Sequence, residues 1–174
     1  MIGMRVTGIL LMAGTLIAGG FALAERGKER LQGLERLRQM VYHLMNRILY
    51  ANVALPDALE DVGRRFRGRE SEFFLKTAER LKAETDMTFA FIWMEEAERF
   101  FQEGPMARND RDLLLTLGKQ LGYADRAMQE RIIRFYLEQT EEEIKAIRAE
   151  LDAKTRLFRC LGMTAGLFLM VLLA

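Results

Sequence analysis

Two uncharged runs, one at each end, constrain this chain more than anything between them. Val6 to Ala24 holds 19 residues without a charge. At ~1.5 Å rise per residue a helix of that length spans roughly 29 Å, the thickness of a bilayer's hydrocarbon core. Cys160 to Ala174 holds another 15, and Leu157 and Phe158 extend the apolar stretch past Arg159. Nearly all the charge lies between, from Glu25 to Arg159. The expected organisation is therefore an N-terminal transmembrane anchor over 1–24, a cytoplasmic helical-bundle domain over 25–156, and a C-terminal transmembrane anchor over 157–174.

Two readings of the first run compete. Met1 to Arg5, an apolar stretch and then Ala22-Leu23-Ala24 have the layout of a secretory signal peptide with a small-residue cleavage site. Against cleavage stand Arg26, Lys28 and Arg30, which follow at once and resist export, and a run longer than a usual signal core. The retained anchor is the expectation; the alternative is an extracytoplasmic protein held by its C-terminal end after cleavage at Ala24. Basic residues also orient the domain. Arg26, Lys28, Arg30, Arg36 and Arg38 follow the first run, and Lys145, Arg148, Lys154, Arg156 and Arg159 precede the second. Both groups place the domain on the cytoplasmic side. Within the anchors, Gly14, Ala18 and Ala22, and Gly162 and Gly166, recur every fourth residue. That spacing lets helix backbones approach closely in lipid, although glycine and alanine are common in membrane helices in any case.

Composition excludes several chemistries. A net charge of +1 points to no nucleic-acid partner. A single cysteine, Cys160, rules out an intrachain disulfide or a cysteine zinc cluster, and a single histidine, His43, rules out any site needing two imidazoles. No Ser/His/Asp set, metal-ligand spacing or glycine-rich phosphate loop is present, so neither catalysis nor a cofactor is expected. Two prolines and few β-branched residues favour helix throughout.

The middle reads as an all-α antiparallel bundle of about six helices. Leu34, Leu37, Val41, Leu44, Ile48 and Ala51 step by three and four, as do Ile133, Leu137, Thr140, Ile144, Ile147 and Leu151. These are two long helices, one continuing from the first anchor and one leading into the second, with Gly27 and Gly33 as points of bending in the former. Shorter helices lie between: Asp57 to Phe66 after Pro56, Glu70 to Thr85, a stretch to about Glu103 capped by Thr88, and Asp112 to Leu121 capped by Asn109 or Asp110. Phe89, Ile92, Trp93, Ala97, Phe100 and Phe101 form an aromatic face that reads as core rather than a cofactor box.

The run from Leu117 to Gln129, LGKQLGYADRAMQ, resembles the stage III sporulation protein AB family of endospore-forming bacteria. That family carries a Leu-Gly, Leu-Gly, Asp, Gln pattern at this spacing. Length, two terminal apolar runs, and Leu161-Gly162 with Gly166 agree with it. Ile48-Leu49-Tyr50 followed by Leu55 and Asp57-Ala58-Leu59 is a weaker match, with Arg47, Ala51 and Ala54 where members carry glutamate, glycine and proline. The family is similar to the cytoplasmic domain of the inner-membrane platform proteins of type II secretion and type IV pilus systems. The resemblance implies a non-enzymatic platform subunit in the mother-cell membrane around the forespore. Its implied partners are a cytosolic secretion-type ATPase and other membrane proteins of the sporulation complex. A generic membrane-anchored dimeric scaffold is the alternative.

The residues give a modest physical reading of this signature. Gly118 inside a helix suggests close packing, Gly122 a left-handed helix stop, and Asp125 a cap for the last helix. Gln129 is expected to bond near that cap or across to a partner. Arg64, Arg65, Arg67 and Arg69 surround Gly68 and form the candidate contact surface. They suit an acidic protein face or lipid headgroups, or are simply a solvated turn. Glu141-Glu142-Glu143 reads as a solvated face, with self-association through the arginines as the other possibility.

Overall fold

A computed structural model describes residues 25–157 and Cys160, apart from 85, 103, 123 and 124; for 2–24 and 158–173 only the helical course of the chain is given. The two expected anchors, with Gly14, Ala18, Ala22, Gly162 and Gly166, thus lie outside the described residues except for Leu157 and Cys160. Among the described residues no helix is long and apolar enough to cross a membrane.

Six helices follow one another: α1 Ile2–Leu49, α2 Leu55–Arg65, α3 Arg69–Ala83, α4 Phe89–Gln102, α5 Arg108–Leu121 and α6 Arg126–Leu173. The chain divides into two compact units, Met1–Glu29 with Ala146–Ala174, and Arg30–Lys145. In the first, Gly27 packs against α6: a Cβ there would stand 3.0 Å from Leu151 Cδ2.

In the second unit, α1 and α6 run antiparallel. Arg30 bonds Glu143, Arg38 bonds Glu141, and Arg126 donates to the Leu49 carbonyl. Four short helices complete the bundle. Pro56 opens α2 within its first turn, where its missing N–H costs nothing. Ala58, Leu59, Val62 and Gly63 form the buried face of α2, and Ser71 Oγ donates to the Gly63 carbonyl at 2.6 Å, tying α3 back onto it. The core gathers Leu37, Val41 and Leu44 of α1, Phe73 and Phe74 of α3, Trp93 of α4, Leu114 and Leu117 of α5, and Ile133 of α6. Trp93 is its centre. Phe73 meets it edge-on at 4.8 Å, Phe74 and Phe89 lie at 5.9 and 5.4 Å, and its indole N–H donates to the Leu114 carbonyl at 2.9 Å. The indole thus contributes apolar area without leaving its one donor unpaired.

Several expectations are corrected. Ala51 does not continue the α1 seam, because the helix ends at Leu49 and Ala51 is exposed; Met40 and Met45 are buried instead. Gly33 admits a neighbour: a Cβ there would stand 2.6 Å from Met106 Cε. Helix α5 starts at Arg108, not Asp112, so Asp110 sits at the third helical position rather than at the cap. There its carboxylate accepts from the Ala107 N–H at 2.8 Å. Of Glu141-Glu142-Glu143, Glu142 is exposed as expected, whereas Glu141 and Glu143 pair with Arg38 and Arg30. Opposite charges on facing helices outcompete water where both are partly buried.

Candidate interaction surfaces

The turns sort to two ends of the Arg30–Lys145 unit. At the end where α1 enters and α6 leaves, Gly68 of the α2–α3 turn lies beside the Arg36 guanidinium, and Gly104 of the α4–α5 loop lies against that of Arg69. At the other end, Gly122 lies against Phe89, and Gln129 Nε2 donates to the Leu121 carbonyl at 3.3 Å.

The signature segment joins α5 to α6 at this second end. Gly118 lies where a Cβ would stand 1.9 Å from Trp93 Cδ1, so α4 and α5 approach to the distance that only glycine permits. Gly122 does not adopt the expected left-handed stop. Its φ of −71° and ψ of −21° are right-handed, and its small size instead makes room for the Phe89 ring, 3.0 Å from a notional Cβ. Asp125 accepts from the Met128 N–H at 2.8 Å, capping α6, and Gln129 closes the preceding helix end. Asp125→Ala is therefore expected to lower stability by ~0.5–2 kcal/mol, the usual loss of a helix cap. An unchanged urea midpoint in the variant would remove that role.

The four arginines around Gly68 do not form one patch. Gly68 itself has φ +103°, a conformation that side chains rarely adopt, and it turns the chain sharply between α2 and α3. Arg64 pairs with Glu60 one helical turn back. Arg69 turns inward: it donates to the Phe100 carbonyl and its guanidinium lies 5.0 Å from the centre of that ring. Only Arg65 and Arg67 remain exposed without a partner among the described residues. Arg108, exposed at the first turn of α5 at the same end of the unit, is likewise unpartnered. Its sequence neighbours offered no sign of this grouping.

The buried carboxylates are structural. Asp110, 3 % exposed, takes a two-pronged hydrogen bond from Arg30 at 2.7 and 2.8 Å, and Arg30 also reaches Glu143. The bond to Asp110 holds the Arg30 guanidinium above its ordinary range despite the opposing effect of burial. Glu96 is bonded by Arg80 and Arg99, each at 2.9 Å. Arg80 also pairs with Glu84 and Glu95; its bonds to Glu84 and then Glu96 push its pKa far up, while Glu84 is held low by Arg80. An open groove between α2 and α3 is flanked by Glu60, Arg64 and Lys82, yet those charges neutralise one another through Lys82–Asp57 and Lys82–Glu60 contacts of 2.6 Å. Among the described residues no group of three or more His, Cys, Asp or Glu side chains is placed to hold a metal ion.

These features define an all-α helical bundle whose buried charges are paired within it. The chain belongs to the stage III sporulation protein AB family, whose profile matches residues 5–174. It is 24% identical over 157 residues to stage III sporulation protein AB of Bacillus subtilis (strain 168), an alignment covering 88% of this chain and 90% of that protein. A solved structure titled Stage III sporulation protein AB (SpoIIIAB) shares the fold, with a TM-score of 0.67 at 18% identity over 71% of this chain and 97% of its own.

Proposed function

We propose that the chain is a non-enzymatic, membrane-held platform subunit of the sporulation complex between mother cell and forespore. In this reading it sits in the mother-cell membrane around the forespore, with the bundle in the cytoplasm, and docks a cytosolic secretion-type ATPase. Family membership and the family's resemblance to secretion platform domains support this role. The observation that carries the docking is the end of the bundle remote from the entry of α1. There Tyr50, Met87, Phe91 and Met128 are between 43% and 70% exposed, supplied by three separate chain junctions. Apolar side chains gathered at one end favour a protein partner over water.

The test uses the full chain in lipid nanodiscs and the purified sporulation ATPase of the same organism. Wild type is expected to bind. Met87→Ser with Phe91→Ser should weaken binding by roughly tenfold or more, the scale of losing central apolar anchors. Changing Arg65 and Arg67 to Ser should leave the affinity unchanged. A folded, incorporated wild type that does not bind would remove the docking role.

A further inference from the structure

We propose that Arg65, Arg67 and Arg108 form a headgroup-contact face that holds the bundle against an anionic lipid surface. The inference rests on the membrane-held reading and adds to it a second, electrostatic contact outside the anchors.

Three observations carry it. First, these arginines are exposed and lack partners among the described residues, whereas the neighbouring Arg30, Arg36, Arg64 and Arg69 are all committed to Asp110, Glu70, Glu60 and the Phe100 carbonyl. The nearby acids Glu70 and Asp110 are buried and already paired; Glu72, one turn into α3, and Asp112, one turn beyond Arg108 on α5, are exposed. Helix dipoles contribute little, because the N-termini of α3 and α5 share this end with the C-termini of α2 and α4. Second, the two arginine-bearing turns are fixed to each other. Arg69 leaves the α2–α3 turn, bonds the Phe100 carbonyl and fills the space beside Gly104 in the α4–α5 loop. The three cations are therefore presented on a common rigid base. Third, this is the end at which α1 enters the unit and α6 leaves it. Arg36, beside Gly68, lies twelve residues beyond Ala24 in sequence.

An acidic protein is the competing occupant. Lipid is favoured because the cations are spread over two turns at the end of the unit where α1 enters and α6 leaves.

The test is fluorescence transfer from a donor dye at Asn109→Cys, in a Cys160→Ser background, to an acceptor on the lipid headgroup. The full chain is reconstituted in nanodiscs of phosphatidylcholine alone or rich in phosphatidylglycerol. Transfer is expected to rise with phosphatidylglycerol and to fall back in 1 M-scale salt, where the Debye length is only about 3 Å. Each arginine should contribute about fivefold to the equilibrium for the docked state, so changing all three to Gln should shift it by about a hundredfold and abolish the rise. Arg131→Gln, an exposed arginine in the second turn of α6 at the far end, should leave it intact. Transfer independent of lipid charge, in a chain that co-elutes with the discs, overturns the headgroup contact and leaves an acidic protein as the occupant. A chain that does not incorporate at all overturns both this inference and the membrane-held reading.

Discussion

Replacing Gly118 by alanine is expected to destabilise the bundle by about 2–3 kcal/mol, the cost of forcing atoms into a filled core. The sign is not obvious from the helix alone, since alanine is the better helix former by roughly 1 kcal/mol. Packing decides it. The added Cβ would stand 1.9, 2.3 and 2.4 Å from Cδ1, Cγ and Nε1 of Trp93. The indole has nowhere to go: it is fully buried, wedged among Phe73, Phe74 and Phe89, and held by its hydrogen bond to the Leu114 carbonyl. Thermal melting should show a Tm lower by about 5–10 °C for a chain of this size. Gly122→Ala is the matched control. Its backbone is right-handed and its new Cβ would touch Phe89 at 3.0 Å, so a shift within about 1 kcal/mol is expected. An alanine at 118 that melts no lower than wild type would show that α4 and α5 do not approach as described.

Arg30→Met should cost about 3 kcal/mol, at the lower end of what breaking a buried ion pair removes, because Arg30 keeps some contact with water. The loss falls on Asp110. Its side chain is 1% exposed, and without Arg30 it would retain the Ala107 N–H as its partner. A carboxylate left in that position is penalised more than the pair was ever worth. Adding Asp110→Leu to the first change should therefore recover at least half of the lost stability, measured by urea denaturation of both variants. Equal stability of Arg30→Met and wild type would refute the pairing. A double variant no better than the single would attribute the loss to Arg30's packing instead.

The contrast between these two sites explains which parts of the bundle were readable from residues in order. Gly118 stood out because a glycine inside a helical stretch carries a cost that close packing can offset; its partner, Trp93, lies 25 positions away and no spacing rule links them. Asp125 and Pro56 acted as expected, since a cap and a first-turn proline depend on neighbours within four residues. Asp110 misled for the same reason: it looks like a cap residue, and only the arrival of Arg30 from α1 makes it half of a buried ion pair. The arginine run suggested a single patch, yet Arg69 found a carbonyl and an aromatic face on α4, while Arg108, on another helix, is left exposed and unpartnered among the described residues.

Local chemistry therefore determined the helices, most of their ends, the apolar faces that meet in the core and the family to which the chain belongs. Periodicity, caps and short motifs are properties of residues a turn or two apart, and they survive without knowledge of the fold. Tertiary structure alone decided which charges are buried in pairs and which stay free, because a long side chain chooses its partner from whatever helix packs beside it. What remains after those choices is a set of exposed side chains: Arg65, Arg67 and Arg108 at one end of the bundle, and Tyr50, Met87, Phe91 and Met128 at the other.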